Sequence, residues 1–182
     1  GKAFGGKGVS KAVRHVNGKI AAALKGKDAF NQTAIDEALI TADGTATKAR
    51  LGANATIAAS MACFKLGAAL RGKEVYSRLG GNRLPVPFCN VINGGKHASN
   101  GLPFQEYMLV PVRFNSFPAA VQAVSETYHA LKERIKEKCG GAFTSVGDEG
   151  GFTPPCRRVE EPLELMDAAI AAAGYSGSVK MA

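Results

Sequence analysis

The sequence predicts an α/β fold in two parts. Residues 1–80 form a helical unit, and residues 81–182 form the first strands and helices of a barrel-type α/β domain. Three observations carry this reading. Apolar residues recur at helical spacing through the first part. Composition shifts at Gly80-Gly81-Asn82, a run suited to a boundary. Beyond it, strand-like runs alternate with helical ones, the pattern of strands packed under crossover helices. The final run, Ser178 to Ala182, reads as a strand that begins and is cut off, so the chain of 182 residues is expected to end inside a domain.

The N-terminal residues Gly1, Gly6 and Lys7 have the spacing of a phosphate-binding loop, but Gly8 replaces the hydroxyl residue that would hold a metal and no strand precedes them. A basic, flexible segment is the simpler reading. Val9, Ala12, Val13, Val16, Ile20 and Ala23 then mark a helix stopped by Gly26, with His15 at the rim of its apolar stripe. A second helix follows Asn31, a candidate cap, and turns Ile35, Ala38 and Leu39 inward. Residues 43–52 are polar and loop-like. From Ala53 to Arg71 runs an alanine-rich helix with Ile57, Met61, Phe64 and Leu66, whose small side chains suit close helix packing; Gly72 ends it.

In the second part, residues 85–92 read as a buried strand with its prolines confined to the start. It leads into a glycine-rich loop, 93–100, that contains Lys96 and His97. Residues 104–112 form another strand, opening with Gln105 and Glu106. A long helix starts near Ser116, tolerates Pro118 in its first turn, and runs to Gly140. His129 lies off its apolar stripe, and the mixed charges from Lys132 to Lys138 form a solvated face. Residues 143–146 are expected to form a short strand leading into Gly147-Asp148-Glu149-Gly150-Gly151. A further helix follows, with Glu160, Glu161 and Pro162 in its first turn.

Composition removes several function classes. No apolar run reaches membrane-spanning length, and the first residues have no signal-peptide core. The four cysteines are scattered without a Cys-x-x-Cys pair, which argues against a zinc site or a disulfide framework and points to reduced thiols in the cytoplasm. A formal charge of +8 favours anionic partners. The basic residues are dispersed and aromatics are only 7%, so a small phosphorylated substrate fits at least as well as nucleic acid, and no nucleic-acid partner is expected.

Three stretches hold the chemistry: His97 in its loop, Gln105 and Glu106 at a strand start, and Asp148 and Glu149 between glycines. Each taken alone has a plain structural reading. Gly, Asp and Pro make ordinary turns, a strand-end glutamate is as often held by a lysine as it is catalytic, and Asp148 suits a hydrogen-bond acceptor that organises its loop. If the strands share one barrel, their ends converge, and an imidazole with several carboxylates can divide acid and base work.

The order and spacing of LGANATIAAS, NVINGGKHASN, FQEYMLVPV and VGDEGGFTPP closely resemble the enolase family across essentially all 182 residues. That resemblance implies the tail of an N-terminal α+β domain over 1–80 and, over 81–182, the start of a modified barrel that opens with an antiparallel strand pair. It implies a magnesium-dependent carbon-oxygen lyase, phosphopyruvate hydratase, which reversibly dehydrates 2-phosphoglycerate to phosphoenolpyruvate in glycolysis and gluconeogenesis. Glu149 matches the proton donor. Glu106 matches the carboxylate on the same side of the substrate, Gln105 its neighbour, and His97 the histidine of a mobile loop on the phosphate side. The resemblance also implies a cytoplasmic homodimer.

Ser99 departs from the family's usual glycine. The family's magnesium ligands and proton-abstracting lysine would come from beyond Ala182, so no metal ligand is expected within the segment, and the 182-residue piece alone is expected to be inactive. The alternatives are a non-catalytic enolase-like binding or scaffold protein and another enolase-superfamily enzyme; GDEGGF together with GGKHASN argues against the latter.

Overall fold

A computed structural model describes residues 2–182, which divide between Asn82 and Arg83 into two compact units. The first unit is helical. A continuous helical run comprises α1 (Ser10–His15), a π-helical turn (Val16–Ile20) and α2 (Ala21–Leu24). It is followed by α3 (Gln32–Asp43) and α4 (Ala53–Ala69). Asn31 caps α3 as its sequence position suggests, its Oδ1 accepting from Ala34 N at 3.0 Å. Ile20, Ile35, Leu39, Leu51, Ala55 and Ala59 make the core. The expected stripe at 9–23 is only partly inward, because Val9 and Val13 are exposed. α4 packs through small residues, burying Ala55, Thr56, Ala59, Gly67 and Ala68 while Ile57 and Met61 face outward. His15 lies at the rim, half-buried, with Nδ1 2.7 Å from Leu51 O.

The segment 43–52 holds an organising residue that its polarity concealed. Asp43 is fully buried, and its carboxylate accepts from Leu51 N at 2.6 Å, from Thr45 N at 3.0 Å and from the Thr45 hydroxyl. Burial pushes this carboxyl up. The Thr45 and Leu51 hydrogen bonds and the Arg50 charge outweigh that push and hold it below the ordinary carboxylate value.

The second unit is α/β. Strands β1 (Cys89–Asn93), β2 (Glu106–Pro111) and β3 (Val179–Met181) form one sheet in the order β1-β2-β3, with both pairings antiparallel. The antiparallel β1–β2 pair is the barrel opening that the resemblance implied. Helices α5 (Phe117–Cys139) and α6 (Glu160–Ala172) pack on it. Ser116 caps α5 by accepting from Ala119 N, and Glu161 Oε2 accepts the N–H groups of Arg157 and Arg158 ahead of α6. The core contains Ile92, Leu109, Leu131, Ile135, Phe152 and Met166, each at most 1% exposed.

Two strand expectations need correction. The first strand is shorter than 85–92, since Pro85 and Pro87 have no N–H for a ladder. The strand expected at 143–146 is instead a 3-10 turn, Gly141–Thr144. Its hydrogen bonds are satisfied locally, Phe143 N donating to Gly140 O at 3.2 Å and Thr144 Oγ1 to Gly141 O at 2.8 Å, and such local bonding competes with sheet formation. Val146 makes only a bridge to Phe152, and Phe152 rather than residues 143–146 lies parallel beside Ile92 of β1.

Candidate functional site

Phe152 is the anchor of the acidic loop. Its N–H donates to Val91 O at 2.9 Å and its carbonyl accepts from Asn93 N at 2.9 Å, which ties the residue after the loop to the edge of β1. Its ring stacks on Tyr128 of α5, with centroids 4.4 Å apart and planes inclined by 14°. The Tyr128 hydroxyl donates to Gly150 O at 2.8 Å. Within the loop, Gly147 N donates to Gly151 O at 2.9 Å and Gly150 N to Gly147 O at 3.0 Å. These bonds close a tight turn with Asp148 and Glu149 at its tip, Gly150 taking the positive φ of 81° that a side chain disfavours.

The turn presses against Asn93, which is fully buried. A Cβ on Gly147 would lie 2.4 Å from Asn93 Nδ2, and one on Gly151 would lie 2.4 Å from Asn93 Oδ1. Both glycines are therefore required by close approach. The His97 loop is held from the other side. Gly94 N donates to Gln105 O at 2.9 Å and Gly95 N to Leu102 O at 2.8 Å. Asn100 Nδ2 bridges Asn93 O at 2.9 Å and Pro154 O at 3.2 Å, joining the His97 loop to the chain that follows the acidic turn.

These constraints bring His97 and Glu149 together, with Nδ1 3.3 Å from Oε1. The His97 side chain is 27% exposed and that of Glu149 36%, which suits a site open to a small solute. The other oxygen, Oε2, accepts from Asn90 Nδ2 at 3.1 Å. The arrangement can hold a proton at Glu149 between an imidazole and an amide.

The remaining expected residues are placed differently. Glu106 opens β2 half-buried, its Cα paired with that of Asn93. Gln105 precedes it, exposed. Among the described residues neither side chain makes a hydrogen bond or ion pair, so they flank the His97–Glu149 pair without joining it. Lys96 is exposed. Asp148, read as the loop's organising acceptor, is a correction: it is exposed and makes no side-chain hydrogen bond among the described residues. Backbone bonds, Tyr128 and Asn93 organise that loop instead. Asn90, Asn93 and Tyr128 were missed by sequence reasoning. Two asparagines inside the apolar run of residues 86–93 were the available signal, since an amide on a buried strand needs a partner.

The residues present do not fit a magnesium ion. Among the described residues no three His, Cys, Asp or Glu side chains gather in one place, whereas magnesium takes about six oxygen ligands, some of them from carboxylates. The free cysteines have no place in the site, and burial pushes the Cys156 thiol up to about 11. Among the described residues no helix is long and apolar enough to cross a membrane.

Comparison with known proteins agrees with these features. The family model for the enolase N-terminal domain matches residues 1–79, and that for the enolase C-terminal TIM barrel domain matches residues 82–182. The enolase of Methanopyrus kandleri is 48% identical over 182 positions, covering 98% of this chain and 43% of its own length. That of Campylobacter jejuni subsp. doylei is also 48% identical, with 98% and 44% covered, and that of Campylobacter lari is 46% identical with the same coverage. The chain thus spans under half the length of these relatives. With both domain models matched in order, it belongs to the enolase family.

Proposed function

We propose that these residues supply the acid side of an enolase site, with Glu149 the group that protonates the hydroxyl leaving 2-phosphoglycerate. The observation that carries this reading is the position of Glu149. Its carboxyl stands at the tip of a turn fixed by Phe152, Tyr128 and Asn93, with His97 on one oxygen and Asn90 on the other. Hydroxide is a poor leaving group. A carboxylic acid placed at it lets the C–O bond break with release of water, while the electrons of the lost C–H bond form the C=C bond of phosphoenolpyruvate. The base that removes the C–H proton is not among the residues gathered here. With Nδ1 facing Glu149, the His97 ring keeps Nε2 for a phosphate oxygen. Glu106 and Gln105, on the neighbouring strand start, would line the same side of the substrate.

The wider reading follows from family membership. Residues 1–80 are assigned to the helical part of the N-terminal domain and 81–182 to the first part of the barrel. A full-length enolase with this segment would be a homodimeric phosphopyruvate hydratase of the cytoplasm, acting in glycolysis and gluconeogenesis with magnesium supplying charge neutralisation at the substrate carboxylate.

The test is a full-length Campylobacter jejuni enolase whose matching segment is replaced by these 182 residues. It should form phosphoenolpyruvate, and Glu149→Gln should lower kcat by about 100-fold or more, the usual scale of a lost general acid, with an unchanged melting temperature. Unimpaired turnover in the Glu149→Gln chain would remove Glu149 from this role.

A further inference from the structure

Residues three apart on a regular strand point to opposite faces, yet Asn90 Nδ2 lies 2.6 Å from Asn93 Oδ1. The reason is a bulge. The register of β1 against β2 passes from Asn90–Met108 to Ile92–Tyr107, so Val91 is taken up as an extra residue and the side chains after it change face. Asn90 and Asn93 thus come to one side, beneath the acidic turn. Asn90 Nδ2 has two hydrogens, and they serve Asn93 Oδ1 and Glu149 Oε2. The cost is visible: Asn90 Oδ1 and Asn93 Nδ2 are buried without a hydrogen-bond partner. A plain surface turn has no need of an amide pair that leaves two buried polar atoms unsatisfied.

We propose that Asn90, oriented by Asn93, is a positioning residue for Glu149: it keeps a donor on Oε2, so that the transferable proton resides on Oε1, the oxygen beside His97. This rests on the reading of Glu149 as the acid. An acid serves only if its proton sits on the oxygen that meets the leaving group. A carboxyl free to hold the proton on either oxygen would present it to the substrate only part of the time. An amide N–H directed at Oε2 disfavours the proton on that side, because a carbonyl oxygen accepts the Asn90 N–H better than a hydroxyl oxygen does. Asn93 prevents the Asn90 amide from turning over, since the turned amide would set its oxygen against Asn93 Oδ1. Gly147 and Gly151 in turn leave Asn93 no room to move. The other titratable groups around the turn are His97, Glu106 opposite Asn93, adjacent Asp148, and Tyr128 through Gly150.

A double-mutant cycle in the segment-replaced enolase tests this. Asn90→Leu should lower kcat at least 10-fold with little change in KM, and the same change should have no further effect in the Glu149→Gln background. Asn90→Ala, which removes the donor without adding a charge beside Glu149, should behave alike. An undiminished effect of Asn90→Leu in the Glu149→Gln background overturns the proposal and leaves the acid assignment standing; full activity of Glu149→Gln alone overturns the acid assignment itself. On the 182-residue chain, the Asn90 side-chain amide protons should keep their hydrogen-bonded NMR shifts as Glu149 is titrated, and Asn93→Ala should abolish those shifts. Loss of the shifts on protonation of Glu149 would mean that the amide pair reverses and the proton sits on Oε2, which also overturns the proposal.

Discussion

At the scale of single residues, the types of the candidate groups were legible but their partners were not. Glu149 and His97 stand out as an acid and an imidazole among glycines, and the fold sets them 3.3 Å apart. Asp148, equally prominent in sequence, is exposed and unpaired among the described residues, while Asp43, unremarked in a polar loop, is fully buried and holds three hydrogen bonds. Adjacent acids look alike on paper because only the fold decides which one meets a partner: both are exposed, and Glu149 alone reaches His97 and Asn90. Asp43 also sets a pH dependence. Its folded-state pKa is depressed, so its contribution to stability is complete above the ordinary carboxylate value of 3.8 and is lost as pH falls below that toward the folded value. Asp43→Asn should lower the melting temperature at neutral pH and flatten its decline in acid. A melting temperature unaffected at pH 7 would show that the carboxylate does not hold the loop.

At the scale of elements, helices were read well and strands less so. Asn31 and Ser116 announce α3 and α5 by side chains that cap locally, and a local signal needs no tertiary context. Residues 143–146 suggest a strand because a short run suits either state, whereas Phe143 and Thr144 end the turn Gly141–Thr144 and only the missing ladder partner separates the two. The bulge in β1 was invisible in sequence, since an extra residue is defined by the strand opposite. Close packing at the acidic turn yields a sharp expectation. Gly151→Ala would drive a Cβ to 2.4 Å from Asn93 Oδ1, and overpacking of this kind costs on the order of 1–3 kcal/mol. Gly150→Ala meets open space and carries only the strain of a positive φ, roughly 1–2 kcal/mol. The two costs are of similar size, so the Asn90 amide shifts separate the variants: they should be lost in Gly151→Ala and kept in Gly150→Ala. Shifts kept in both would remove the steric account of Gly151.

At the scale of the whole molecule, each unit carries its own buried cluster, one around Ile20, Ile35 and Leu39 and the other around Ile92, Leu131 and Met166. Leu131 is 0% exposed, and a buried leucine reduced to alanine costs about 2–5 kcal/mol. Leu131→Ala should accordingly weaken hydrogen-exchange protection across 83–182 while amides of 10–69 keep theirs; uniform loss over both would show one cooperative core instead of two. The sequence by itself determined the α/β class, the helices, the change of character near residue 80 and the family, because periodicity, caps and motif order are properties of the chain read in one dimension. Tertiary structure alone decided that His97 meets Glu149, that Asn90 and Asn93 stand behind it, and that Gln105 and Glu106 only flank the pair. Those contacts span as many as 59 residues of chain, and no local propensity carries information about a partner that far away.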